Sequence, residues 1–175
     1  IFEKVSNTIL NQIESLSSIA SEFSRFAKMP SFKIEKVDLA TVSKDVMNLF
    51  IDEKISIILE VNENTPQVNA DSSHVRRILI NMVRNSIQAG ADKIILKIFS
   101  DDENCFLIIE DNGRGIPFEI RDKIFEQNFT TKSTGMGLGL KLAKRFLDGI
   151  GGEIKLLEST TAGTTFQITF PITKN

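Results

Sequence analysis

Apolar side chains recur every seven residues at Phe2, Ile9, Leu16 and Phe23, and a second series offset by three adds Val5, Ile19 and Phe26, interrupted at Gln12. Ile13, Ala20 and Ala27 widen the stripe, and neither Gly nor Pro occurs before Pro30. This pattern predicts one long amphipathic helix over residues 1–29, with a seam wider than a two-stranded coiled coil requires. A single helix cannot bury such a seam. It must meet the globular part, another helix or a second copy, and packing on a partner is the favoured reading.

After Pro30 the periodicity shortens. Residues 32–37 read as a short strand, residues 39–50 as a helix capped by Asp38, residues 55–61 as a β-branched strand, and Asn64-Thr65-Pro66 as a turn. Asp71 caps a second helix over residues 72–89, whose apolar face carries Val75, Ile78, Leu79, Met82, Val83 and Ile87. Strands over 93–99 and 105–110 follow, joined by a polar turn. Residues 111–139 are irregular, apart from a helix expected over 118–125 after Pro117. A helix over 140–147 and strands over 153–157 and 165–170 complete the chain. Helices and strands segregate into two layers, so the expected fold is α+β, with helices on one sheet face. The expected division is a partial helical segment over 1–30 and a globular domain over 31–175.

Composition adjusts this picture only slightly. The chain has 175 residues, 41% of them hydrophobic, enough for one compact domain and a helix. Its 21 basic and 23 acidic side chains show no basic stripe, which argues against a nucleic-acid partner. Cys105, the single cysteine, lies in an apolar run and reads as a buried inert thiol in a reducing cytosol. No signal peptide is visible, and no apolar run reaches the roughly 20 residues that span a bilayer. The chain begins at Ile1 rather than Met, so it reads as a piece of a longer protein.

Three segments carry chemistry. On the helix over 72–89, Asn81, Asn85 and Gln88 share one face at i, i+4 and i+7. Amide oxygens are hard neutral ligands for Mg²⁺ and amide nitrogens donate to phosphate, although on this helix alone an ordinary solvated face is the favoured reading. Next, the buried strand ending at Glu110 runs into Asp111-Asn112-Gly113-Arg114-Gly115-Ile116-Pro117. A carboxylate at a strand end accepts from the exocyclic amino group of adenine and repels the carbonyl that guanine presents there. Finally, Phe125 to Lys141 combines Phe129, Thr130, Thr131 and Lys132 with Gly135, Gly137 and Gly139 before a helix. Backbone N–H groups at such a helix start form an anion site, and a loop of this kind reads as a lid. Neither GxxxxGK[ST] nor GxGxxG can be aligned on it.

Taken together, Asn81-Met-Val-Arg-Asn85, Asp111-Asn-Gly-Arg-Gly115, Phe125 to Phe129, Gly135-Met-Gly-Leu-Gly139 and Gly163-Thr-Thr-Phe166 resemble the sequence boxes of sensor histidine kinases, in their order and spacing. The resemblance implies a Bergerat-type ATP-binding fold, a layer of helices on a mixed sheet shared with gyrase, the Hsp90 chaperones and the MutL proteins. The Phe-Thr-Thr-Lys run, with Glu22 to Pro30, further resembles the nitrogen-regulation, NtrY-like subgroup. By this resemblance Asp111 binds the adenine amino group, with Thr164 assisting through water. Asn85 coordinates Mg²⁺ and Asn81 lies beside the phosphates. Gly113 and Gly115 admit the nucleotide, while Thr130, Thr131 and Lys132 meet the terminal phosphates with the lid backbone at Gly137, Leu138 and Gly139. Gln88, Ile116, Phe125, Phe129 and Gly135 complete the contacts. Many relatives have a lysine where this chain has Gln88, which leaves Lys132 and Arg84 to supply positive charge.

Two departures from the family pattern sharpen the expectation. ATP-hydrolysing cousins place a glutamate at the position of Asn81, and an amide lacks the basicity to activate water. The reading is therefore phosphoryl transfer to a protein side chain, which the resemblance implies is a histidine on a dimerisation helix, within two-component signalling; an ATPase of the gyrase, Hsp90 or MutL class and a non-catalytic ATP-gated interaction module are the alternatives. The only histidine, His74, lacks the acceptor context and reads as a solvated surface residue. Residues 1–29 then fit the second helix of a dimerisation hairpin whose acceptor helix is absent. The implied partners are ATP, that helix, a response-regulator receiver domain and a second copy of the chain. The implied compartment is the cytoplasm, with a parent protein anchored in the inner membrane as an option.

Overall fold

The computed structural model describes residues 33–126 and 139–172, with Ile13 as one further helical position. The remainder of the helix expected over 1–29, and its stop at Pro30, lie outside the described residues.

Strand β1 (Glu35–Val37) pairs antiparallel with β3 (Val68–Ala70), with Glu35 opposite Ala70. Helix α1 (Leu39–Asn48) starts where Asp38 accepts the Ala40 N–H at 3.0 Å and the Thr41 hydroxyl at 2.6 Å, the expected cap. Helix α2 (Ser72–Gln88) starts at the expected cap Asp71. Asp71 Oδ1 accepts Ser73 N–H at 2.9 Å, and its Oδ2 accepts the Lys33 backbone N–H at 2.9 Å. Burial alone would push this carboxyl pKa up. Hydrogen bonds from Ser73, Lys33 and His74 outweigh burial and hold it well below the usual carboxylate range.

The main sheet contains β2 (Ser56–Val61), β4 (Lys93–Ser100), β5 (Asn104–Asp111), β6 (Glu153–Thr160) and β7 (Gly163–Pro171). Its order is β2-β4-β5-β7-β6, with β2 and β4 parallel and the other pairs antiparallel. The period of two decides which face is buried. In β4, Ile94, Leu96 and Ile98 are buried, while Ile95, Lys97 and Phe99 are half-buried on the other side. The buried set joins Val46 of α1, Leu79 and Met82 of α2, and Phe146 and Leu147 of helix α3 (Gly139–Gly149) in one core. On the opposite face Phe99 stacks on Phe106 at 5.1 Å and Lys97 meets Glu110 at 2.8 Å. The architecture is the expected α+β arrangement with a mixed five-stranded sheet.

Several boundaries and one residue differ from expectation. The first strand is shorter, Glu35–Val37, and its partner Val68–Ala70 carries too few residues to show a period. The helix expected over 118–125 is a 3₁₀ turn, Phe118–Lys123, because Pro117 offers no side-chain acceptor to cap an α-helix. His74 is half-buried rather than a solvated surface residue. Its ring stacks on buried Phe146 at 4.9 Å with 10° between the planes, and its Nδ1 lies 3.3 Å from Asp71 Oδ1. The first turn of α2 faces α3, and the imidazole fills that contact.

Candidate functional site

Helix α2 presents Asn81 and Asn85 half-buried and Gln88 exposed, with Arg84 also exposed. The Asn81 Nδ2 is buried with no hydrogen-bond partner. A buried amide donor left unpaired costs about 1–3 kcal/mol, which is expected where a ligand completes the site. The first residue of α3 explains why Asn81 is so enclosed. A Cβ placed on Gly139 would lie 2.3 Å from Asn81 Oδ1, so only glycine allows the helix start to press against this amide.

Asp111 closes β5 opposite Thr164 of β7. Its Oδ1 accepts the Gly113 N–H at 2.9 Å, and its Oδ2 accepts the Ser86 hydroxyl at 2.7 Å. Thr164 is buried, and its Oγ1 lies 3.2 Å from Ser159 Oγ. The strand end therefore holds an acidic group and two hydroxyls at the rim of the core.

The loop that follows is tied down on both sides. Asn112 Oδ1 accepts the N–H groups of Asp92 at 3.1 Å and Lys93 at 3.0 Å, and Arg114 N–H donates to Ala89 O at 3.0 Å. On the far side Ile116 N–H donates to Ser159 Oγ at 2.7 Å. Arg121 Nε donates to Ile116 O at 3.0 Å, and Arg121 Nη2 donates to Ser159 O. Gly115 has φ +71°, and a Cβ there would meet Thr160 O at 1.8 Å. A Cβ on Gly113 would lie 2.9 Å from Ala89 Cβ, so both glycines let this loop pack closely on the rest of the chain. An open cleft of about 440 Å³ between the 3₁₀ turn and β6 backs onto this latch and includes neither Asn81 nor Asp111.

Of the residues read from the sequence, Asn81, Asn85, Asp111, Gly113, Gly115, Ile116, Gly139 and Thr164 lie on α2, on the 111–116 loop and on the strand and helix ends that border them. Phe125 is half-buried and meets Phe166 edge-to-face at 6.4 Å. Phe129, Thr130, Thr131, Lys132, Gly135, Gly137 and Leu138 lie outside the described residues. Sequence reasoning missed Ser86, Ser159 and Arg121. Ser86 sits directly after Asn85 beside the apolar stripe, and nothing in its local pattern separates it from an ordinary helical serine. Ser159 and Arg121 bind backbone groups far away in sequence, which leaves no local signal. Cys105 is buried, and burial pushes its thiol up to about 11, the inert state expected of it.

Residues 70–174 match the model of the histidine kinase-, DNA gyrase B- and HSP90-like ATPase family. The signal transduction histidine-protein kinase AtoS of Escherichia coli (strain K12) is 27% identical over 180 residues, covering 98% of this chain and 29% of the relative. An NtrY-like sensor histidine kinase of Rickettsia bellii is 28% identical over 175 residues, with 97% and 29% covered. The isolated catalytic domain of histidine kinase ThkA aligns with a TM-score of 0.71 and 30% identity over 79% of this chain and 95% of that chain. ThkA in complex with response regulator TrrA gives a TM-score of 0.77 and 26% identity, over 95% of this chain and 50% of that chain.

A mixed sheet under one layer of helices, with an amide-bearing helix facing a glycine-bounded acidic loop, defines an ATP-binding module. The chain belongs to the histidine kinase-, DNA gyrase B- and HSP90-like ATPase family. What it carries is a histidine kinase catalytic domain. The chain spans about 29% of the length of these two curated relatives. Among the described residues no helix is long and apolar enough to cross a membrane.

Proposed function

We propose that this chain is the phosphoryl-donor half of a two-component sensor kinase, binding Mg·ATP and passing the γ-phosphoryl group to a histidine on a dimerisation helix. The observation that carries the reading is the buried, unpartnered Asn81 Nδ2 beside Gly139. It is a donor enclosed at a helix start, where phosphate oxygens are favoured. Because Asn81 is an amide, the site has no carboxylate base at this position, which supports transfer over hydrolysis.

In this reading Asp111 accepts from the adenine amino group, with Thr164 assisting through water, and Gly113 and Gly115, which leave room for Ala89 and Thr160, hold in place the loop that borders the base. Ile116 and Phe125 flank the base. Thr130, Thr131, Lys132 and the lid glycines serve the terminal phosphates. Asn85 suits Mg²⁺ as a hard oxygen donor, half-buried one turn from Asn81. When bound, the ion neutralises charge on the terminal phosphates. This chain's part is to hold the γ-phosphorus in line with the incoming imidazole nitrogen. The bond to the bridging oxygen breaks as the P–N bond forms, and ADP leaves.

His74 is a poor acceptor, since its ring lies flat on Phe146. Residues 1–29 contain no histidine, so the acceptor belongs to another helix. Residues 1–29 would pair with that helix and with a second copy of the chain. The similarity to NtrY-like kinases and the Phe-Thr-Thr-Lys run favour the nitrogen-regulation subgroup. The ThkA–TrrA complex supports a receiver domain as the next partner. The compartment in this reading is the cytoplasm, where ATP is available.

Radiolabelled ATP tests the proposal. The chain alone should acquire no label, and adding a separate dimerisation fragment with its acceptor histidine should give acid-labile label on that fragment. Steady phosphate release abolished by Asn85→Ala, without label on the fragment, would instead make the chain an ATPase.

A further inference from the structure

A carboxylate selects a base only if it is held still. Each Asp111 oxygen has two acceptor directions, and each already receives one donor. The Gly113 N–H fixes Oδ1 from within the loop, but one bond leaves the carboxylate plane free to swing about that oxygen. The Ser86 hydroxyl, reaching Oδ2 at 2.7 Å from a different element, removes that freedom. Ser86 itself is well placed to act as an anchor. It is 4% exposed, and its carbonyl accepts the N–H groups of Ala89 and Ala91, each at 3.0 Å, where α2 turns toward β4. Asp111 is thus gripped between the end of α2 and its own loop, with one acceptor direction on each oxygen left over.

We infer that Ser86 is a positioning residue that sets base selectivity, by locking the Asp111 carboxylate in the orientation that accepts from a 6-amino purine. The inference rests on the nucleotide reading above and adds a residue to it. The chemistry follows from which partner suffers when the lock is removed. A 6-amino purine loses an aligned acceptor when the carboxylate can turn. A 6-oxo purine gains, because the carboxylate can turn away from its carbonyl. Loss of the Ser86 hydroxyl therefore moves the two affinities in opposite senses, whereas loss of packing alone would lower both.

The test measures binding of ADP and of inosine diphosphate to the full chain by calorimetry, before and after Ser86→Ala. Alanine is a strong helix former, so the variant should fold, and a single cooperative thermal transition, at a somewhat lower midpoint, will verify this. The ADP affinity should fall about tenfold, as expected when the charged acceptor of one ligand hydrogen bond loses its alignment, while inosine diphosphate binding holds or tightens. Ser43→Ala serves as the control, since Ser43 is a buried, unpartnered hydroxyl on α1, and its ratio of affinities should not move. An unmoved ratio in Ser86→Ala, a parallel fall for both nucleotides, or an equal shift in the control would overturn the inference. If the unaltered chain bound ADP and inosine diphosphate equally, the lock would be refuted while the nucleotide site stood. If it bound neither, the nucleotide reading would fail first and take the lock with it.

Discussion

Gly115, in the loop, and Gly139, at the start of α3, make opposite demands. At Gly115 an added Cβ would strike the Thr160 backbone carbonyl at 1.8 Å, with φ already at +71°. The backbone of β6 cannot step aside, so Gly115→Ala should destabilise the fold by about 2–4 kcal/mol, read from urea denaturation, and weaken ADP binding with it. At Gly139 the atom that would be struck belongs to the Asn81 side chain, at 2.3 Å. That side chain can rotate, so Gly139→Ala should leave the denaturation midpoint nearly unchanged yet reduce nucleotide affinity. The pair separates a glycine needed for the fold from one needed for the position of an amide. Both lie in segments whose glycine spacing is visible in the sequence. Ser86 does not, since its partner Asp111 is distant along the chain and comes near only when α2 lies across the end of β5.

The N-terminal end of α2 gathers more than a cap. Asp71 binds Ser73, His74 and the Lys33 N–H at once, and so fastens the start of the described chain to the helix that carries Asn81 and Asn85. Its folded pKa is depressed below the ordinary aspartate value of 3.8. The stabilisation is therefore fully present above that value and is lost as pH falls through the lower, folded one. Asp71→Ala should cost about 1–2 kcal/mol at pH 7, and the gap between variant and unaltered chain should narrow progressively below pH 3.8, measured by denaturation across pH. This cap was legible in the sequence, as were α1, α2, α3 and the strands of the main sheet, because each shows a period or a capping residue. The β1–β3 pair was only half legible. Each of its strands is too short for alternation to register, and their pairing is a tertiary event. The 3₁₀ turn after Pro117 was read as a full helix because its composition is helical and only its uncapped start prevents one.

At the scale of the molecule, α2 and α3 pack on one face of the sheet, and the 111–116 loop ties the end of β5 to β6 and to the end of α2. Much of this was readable from the order and spacing of the glycine-bearing segments, which carry the family's shape as well as its chemistry. The loop's ties to its surroundings were not readable, because Asn112, Ser159 and Arg121 reach backbone groups across the fold. Those ties bear on binding energetics. The amides of Gly113, Arg114 and Ile116 already have acceptors, so the loop lost its conformational entropy when the chain folded. Hydrogen exchange at these three amides should therefore be slow before any nucleotide is added and change little afterwards. A base arriving at this end would meet a finished surface, and its binding heat would carry almost no contribution from ordering the protein there.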